Sequence, residues 1–331
     1  MNFTRRKLFA AALMATAATL APALTGGAHA QTFPSKSIRM IVPVPPGGTT
    51  DIIARLVAQR MTETMGQVVV VENRAGAGGS IGADAVAKAA PDGYTILMHN
   101  ITFPLASSAL ALANRAPYNI DTDFAGISIA VYVPFVITAH PGIQARDLRE
   151  LATLLSSNTS LKYNYGSTGP GSVMNVIGET FNRDARVNML HVPFKGAAPL
   201  KLELLSGRIQ VGGDQLSSSL AEIRAGSLRA LATNASKRIG VLPDVPTVRE
   251  QGFASLEFEG WNGLFAPAKT PKPVIDRLQR EVAAAVRHPD VVKRLNDLAA
   301  DAVASSPQEQ DAILRKQMDQ FRPVIREMKL D

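Results

Sequence analysis

The sequence predicts an α/β protein built as two lobes that the chain enters and leaves by a double crossover. Three observations predict it. Short β-branched runs alternate with segments of helical period as far as Thr233, the pattern of βαβ units and parallel sheets. Beyond a short strand at Gly263–Ala266 the chain turns helical, and those helices need a sheet to cover. Finally, 331 residues exceed the 100–200 or so that one domain usually holds.

Ser37–Val44 opens the pattern as a strand. From Thr50, the apolar residues Ile52, Ile53, Leu56, Val57 and Met61 recur at helical spacing until Gly66. Strand Val68–Val71, helix Gly79–Lys88 and strand Thr95–Met98 complete a first block. A second block reads as strand Ile127–Thr138, helix Asp147–Ser156, strand Leu161–Tyr165, helix Ser172–Asn182 and strand Asn188–Val192. It continues with helix Ala198–Leu205, strand Ile209–Gly213, helix Ser217–Arg224 and strand Leu228–Thr233. The closing helices are Pro273–Arg287, Pro289–Leu298 and Pro307–Met328. For these to return to the first block the chain must cross twice, near residues 130 and 256. The expected lobes are 31–132 with 257–331, and 133–256.

Residues 1–30 stand apart. Arg5, Arg6 and Lys7 precede an Ala/Leu-rich run from Leu8 to Leu20, then Ala28-His29-Ala30, which is the layout of a secretory signal peptide cleaved after Ala30 to leave Gln31 first. The apolar run is shorter than the roughly 20 residues a spanning helix needs. Thr4–Phe9 also resembles a twin-arginine signal, so the export route stays open between that and the general one. The expected compartment is the periplasm.

Removing that leader takes away three of the 35 Lys+Arg and none of the 28 Asp+Glu, leaving a net charge of +4. Basic residues are scattered and aromatics make up 5% of the chain, which argues against a nucleic-acid partner. A mild positive balance suits an anionic ligand as well as ordinary surface charge. With no cysteine, stability must come from the core rather than from disulfides.

Two strand-to-helix loops carry the chemistry. Pro43–Asp51 places Gly47 and Gly48 where a ligand sits beyond the carboxyl end of a strand, and the following helix offers N–H groups and a partial positive charge. Asp51 reads equally as a complement to the helix dipole. Tyr165–Ser172 repeats the layout with Ser167, Thr168 and Ser172 among glycines, a donor set suited to a carboxylate; a plain turn with Ser172 as N-cap is the simpler alternative. Glu72–Gly82 fails as a dinucleotide fingerprint because Ile81 stands where the third glycine belongs, and reads as a turn entering a helix. His99, His140, His191 and His288 are widely spaced, so neither a metal nor a cofactor is expected. Gly166-Ser167-Thr168-Gly169 is not a nucleophile elbow, and an enzyme is the weaker reading.

Read in order, Pro43–Arg55, Val71–Gly79, Pro91–Thr95, Tyr165–Ser172, His191–Gly196, Leu242–Thr247 and Trp261–Pro267 resemble the substrate-binding proteins of tripartite tricarboxylate transporters, the Bug or TctC-like family. The resemblance implies a type II periplasmic-binding-protein fold, two lobes closing on a ligand in the cleft between them. It implies a monomer that captures a small carboxylate and delivers it to a large and a small membrane subunit. Carried over, the ligand residues are Val44, Pro45, Gly47, Gly48 and Asp51 from one lobe. The other lobe supplies Ser167, Thr168, Gly171, Ser172, Lys195, Gly196 and Asp214. Val44 stands where the family usually has an aromatic, and Asn175 where a histidine is common, so both are expected at the cleft and both bear on the ligand's identity. Asn119 and Ile120 also depart from the family pattern. The competing roles are a sensor feeding a membrane kinase and a periplasmic hydrolase using His191 and a loop serine.

Overall fold

Among the described residues, eleven strands sort into two sheets. This computed structural model describes residues 33–158, 160 and 162–328; the expected leader, the expected first mature residue Gln31 and Leu161, the expected start of a strand, lie outside them. The first sheet contains β1 (Ile38–Val42), β2 (Val69–Asn73), β3 (Thr95–Asn100), β4 (Phe124–Tyr132), β10 (Trp261–Pro267) and β11 (Asp301–Ala302) in the order β11-β4-β10-β3-β1-β2. The second contains β5 (Phe135–Ala139), β6 (Asn164–Ser167), β7 (Leu190–Pro193), β8 (Val211–Gln215) and β9 (Arg229–Thr233) in the order β7-β6-β8-β5-β9. The described residues from Lys36 onward pack as one compact unit.

The helices are α1 (Thr49–Met65), α2 (Ser80–Ala87), α3 (Thr102–Leu112), α4 (Leu148–Ser157), α5 (Val173–Ala185), α6 (Ala197–Leu205), α7 (Leu220–Arg224), α8 (Lys272–Arg287), α9 (Pro289–Asp297) and α10 (Pro307–Glu327). Local chemistry sets their ends. Gly66 stops α1 in the left-handed conformation at φ 66°, where glycine has no Cβ to clash. Ser306 and Glu309 form a capping box ahead of Pro307 in α10, satisfying two otherwise orphaned N–H groups. Ile38, Met40, Ile41 and Val42 of β1 are wholly buried, as expected of a strand covered on both faces. The C-terminal helices return to the first sheet: α8 packs on α1 and β4, and α10 on α3 and β4.

The structure departs from the sequence reading in three respects. The sheets are mixed: β1 pairs in parallel with β2 and β3, but β10 runs antiparallel to β3 and β4, and β5 antiparallel to β8 and β9. The expected strand Ile127–Thr138 is two strands in different sheets, divided at Val133-Pro134, where proline has no N–H to continue a ladder. Helix α3 is not anticipated by the periodicity, because Thr102, Phe103, Pro104, Leu105, Ala106, Ser107 and Ala109 are all buried and a helix covered all round shows no amphipathic stripe.

The two passages between sheets lie side by side. Val133 N–H donates to the Gly260 carbonyl at 2.8 Å, and Asn234 N–H to the Phe135 carbonyl at 3.2 Å. A β-carbon at Gly260 would stand 2.3 Å from the Val133 carbonyl oxygen, so this close approach requires glycine.

Candidate functional site

The loop after β1 is held by a buried carboxylate. Asp51, in the first turn of α1, accepts from the Gly47 N–H (3.0 Å), Arg55 Nε (3.1 Å) and Asn73 Nδ2 (2.8 Å), and Asn73 also donates to the Val44 carbonyl. Burial opposes the charge on Asp51, but the hydrogen bonds from Arg55, Gly47 and Asn73 outweigh it and hold the carboxyl below its usual range. Pro45 and Gly48 are thereby fixed at the mouth of α1, whose N-terminus carries no side-chain cap. Its first N–H groups, which have no intrahelical partner, stay available. Replacing Asp51 with Asn removes a charge bonded by three donors, each such bond being worth about 1.5–3 kcal/mol. Asp51→Asn is therefore expected to cost about 2–4 kcal/mol of stability, read by denaturant unfolding; a loss under about 0.5 kcal/mol would contradict this role.

On the second sheet, the loop after β7 plays the same part. Gly196 caps α6 at φ 126°, ψ −179°, again without a side-chain cap. A β-carbon there would stand 2.5 Å from Pro45 Cδ, so the loops from the two sheets meet. They meet again where Gly78 faces Gly169 and Pro170: a β-carbon at Gly78 would lie 3.1 Å from the Pro170 carbonyl oxygen. Behind them, Thr49 Oγ1 donates to the Gln215 carbonyl, and Gln215 bonds through its side chain to Asn262 and to the Trp261 carbonyl.

Between these loops is a cavity of about 260 Å³, below the roughly 300–1,000 Å³ of sites for drug-sized ligands. It suits a small molecule. The first-sheet side contributes Pro43, Val44, Pro45, Gly48, Thr49, Thr50, Gly76–Gly79, His99, Asn100 and Thr102. The second contributes Thr168–Pro170, Pro193–Ala197 and Asp214. Two uncapped helix N-termini, α1 and α6, thus face one space with a partial positive charge each. His99 is 1% exposed. Its Nδ1 accepts from the Asn100 N–H at 2.8 Å, which puts the proton on Nε2, and Nε2 has no protein partner. Burial drives its pKa down to about 3, so it acts as a neutral donor. Asp214 behaves oppositely. Burial pushes its carboxyl up to about 6, against the pull of hydrogen bonds from the Gln215 N–H and the Ser218 hydroxyl. Among the described residues no group of three or more His, Asp or Glu is placed to hold a metal.

Of the residues singled out in the sequence, the structure brings Val44, Pro45, Gly48, Thr168, Lys195, Gly196 and Asp214 to the cavity wall. The others stand behind it. Gly47 and Asp51 bond each other. Ser167 is fully buried, bonded to Gly169 and to His191 Nε2 at 2.7 Å. Gly171 donates its N–H to Asn175 Oδ1, and Asn175 Nδ2 donates to the Tyr165 hydroxyl, so Asn175 braces the loop and does not line the cleft. Ser172 is fully buried, its hydroxyl without a partner. Conversely, Gly76–Gly79 is the expected turn into a helix, yet it also forms cavity wall. His99 and Asn100 lie just past the expected strand Thr95–Met98, and His99 is read there only as one of four widely spaced histidines; their signal is two polar residues closing an apolar run at the carboxyl edge of a sheet.

Over residues 53–330 the chain matches the family described as tripartite tricarboxylate transporter family receptor. Solved structures share its fold. The periplasmic binding protein BugD is 34% identical, with a TM-score of 0.82 over 89% of this chain and 98% of that one. MatC from Rhodopseudomonas palustris with bound malate is 33% identical, with a TM-score of 0.83 over 88% of this chain and all of that one. A second R. palustris protein, with adipate, is 28% identical, with a TM-score of 0.79 over 88% of this chain and 97% of that one.

Proposed function

This chain belongs to the receptor family of tripartite tricarboxylate transporters, and on that premise we propose that it is a periplasmic receptor that captures one small carboxylate per monomer and catalyses no reaction. The carrying observation is the convergence of two uncapped helix N-termini, from opposite sheets, on one small cavity. Their N–H groups and dipoles suit an anion, and Lys195 adds a positive charge on the same wall. Relatives hold malate in one case and adipate in another, which supports a carboxylate and leaves its kind open. The lobes are 31–132 with 257–331, and 133–256; they close by bending at Val133-Pro134 and in the return passage before β10. The leader is removed after Ala30, and the loaded receptor unloads to a large and a small membrane subunit.

Ser167 supports a binding role over hydrolysis. It bonds His191, but it is fully buried and does not line the cavity, so a substrate held there cannot reach it. The test is calorimetry of the exported protein against mono-, di- and tricarboxylates and acidic amino acids. One site per chain is expected for at least one of them. Absence of heat across the whole panel would overturn the carboxylate reading, and turnover of any bound acid would overturn the receptor one.

A further inference from the structure

We infer that Gln215 is a positioning residue that latches the two sheets together in the closed arrangement, and so sets affinity without touching the ligand. This rests on the receptor reading. Gln215 ends β8 opposite Phe135, the first residue of β5, and follows Asp214 of the cavity wall without itself lining the cavity. It is wholly buried and reaches past Val133-Pro134 to the first sheet. Its Nε2 donates to the Trp261 carbonyl at 3.3 Å, its Oε1 accepts from Asn262 Nδ2 at 3.0 Å, and its carbonyl accepts from Thr49 Oγ1 at 3.3 Å. Two residues on, Ser217 Oγ donates to the Leu298 carbonyl at 2.6 Å. One short stretch leaving the second sheet is therefore bonded to α1, to β10 and to the end of α9.

Static packing does not account for these groups. Asn262 is wholly buried and its Oδ1 has no protein partner, which costs stability, whereas two apolar side chains of similar shape would fill the same space with little or no loss. Hydrogen bonds suit a contact that is made and broken, because water takes up the groups that parting exposes. When the loops part at Pro45 and Gly196, the bond from Thr49 at the mouth of α1 lengthens with them, and Gln215 links that movement to β10. A residue that stabilises only the closed form raises its population, and the apparent dissociation constant falls in proportion.

The chain has no cysteine, so paired spin labels on Thr64→Cys and Ser206→Cys, both exposed at the far ends of α1 and α6, read the closing of the full exported chain. Malate, adipate, citrate and glutamate serve as probes. Gln215→Leu keeps the volume and removes the side-chain bonds. It is expected to reach the same label distance at saturation as the native chain, but with a midpoint at about tenfold higher acid concentration or more. Should it fail to fold, Ser217→Ala, half-buried and away from the cavity, is expected to move that midpoint about threefold in the same direction. An unchanged midpoint, whatever happens to unfolding stability, would mean that the bonds persist in the open and closed forms alike; it would overturn the latch and leave the receptor reading intact. A native chain whose label distance answers to none of the four acids would also overturn the latch, and the wider calorimetry panel then decides the receptor reading separately.

Discussion

Gly196→Ala is expected to weaken ligand binding at least about tenfold while the chain keeps its secondary structure. Two effects combine. At φ 126°, ψ −179° the backbone lies in a region that is essentially restricted to glycine, and a side chain there costs about 1–3 kcal/mol. That strain burdens the free and bound chains alike. The second effect differs between them, because the new β-carbon would stand 2.5 Å from Pro45 Cδ and 2.8 Å from its Cγ, across the line where the two loops meet. Relief requires the loops to part, and parting separates the helix ends proposed to hold the ligand. Gly240→Ala is the control: its backbone is not in the left-handed region and its β-carbon would meet nothing within 4 Å. Calorimetry reads the affinities and circular dichroism the fold. An unchanged dissociation constant for Gly196→Ala would mean that the contact between Pro45 and Gly196 plays no part in capture.

The largest loss of stability is expected at Trp261. This is the only tryptophan of the chain; it is completely buried in β10, and its indole N–H donates to Gln317 Oε1 at 2.6 Å. Truncating such a residue to Ala costs about 3–5 kcal/mol through lost transfer energy and the cavity left behind. The Gln317 oxygen, buried with it, adds the penalty of an unsatisfied acceptor. Against a total stability of about 5–15 kcal/mol this leaves little margin, and the thermal midpoint should fall by about 6–15 °C. Trp261→Phe separates the contributions: it keeps most of the volume and loses chiefly the N–H, so a cost of about 1–2 kcal/mol is expected. If Trp261→Ala cost no more than Trp261→Phe in denaturant titrations followed by circular dichroism, the hydrogen bond to Gln317 rather than packing around β10 would account for the residue's contribution.

How far the sequence carries the reading depends on whether the signal is local. The strand, glycine turn and helix at Pro43–Asp51 are written in consecutive residues, and the structure reproduces them with Asp51 in its dual place, complementing the helix end and clamping the loop. Gly196 and Asp214 are legible through a family pattern rather than through chemistry. His99, by contrast, follows an ordinary apolar run, and nothing nearby announces that its Nε2–H lacks a partner. The nitrogen's immediate neighbour is Gly79, which is distant in the chain and whose β-carbon, if present, would stand 2.4 Å from it. The Ser167–Ser172 loop misleads for the opposite reason. Its hydroxyls suggest donors to a ligand, but Ser167 is consumed by Gly169 and His191 and Ser172 is buried behind the wall, so of the three only Thr168 reaches the cavity. Residue type is readable from the chain, while the direction each group faces is decided by partners far away in sequence.

The proposed anchoring of charge by peptide groups at the starts of α1 and α6 bears on how such a receptor diversifies. A site that relied on an arginine would lose its anion with one substitution. On the proposed reading the donors at these helix ends belong to the main chain, and any residue except proline supplies the same N–H. Mutation can therefore explore the walls, at Val44, Phe194 or Asp214, and retune which acid is accepted without first destroying the capacity to accept one. Cargo can drift through a lineage by single steps, each intermediate still holding an anion.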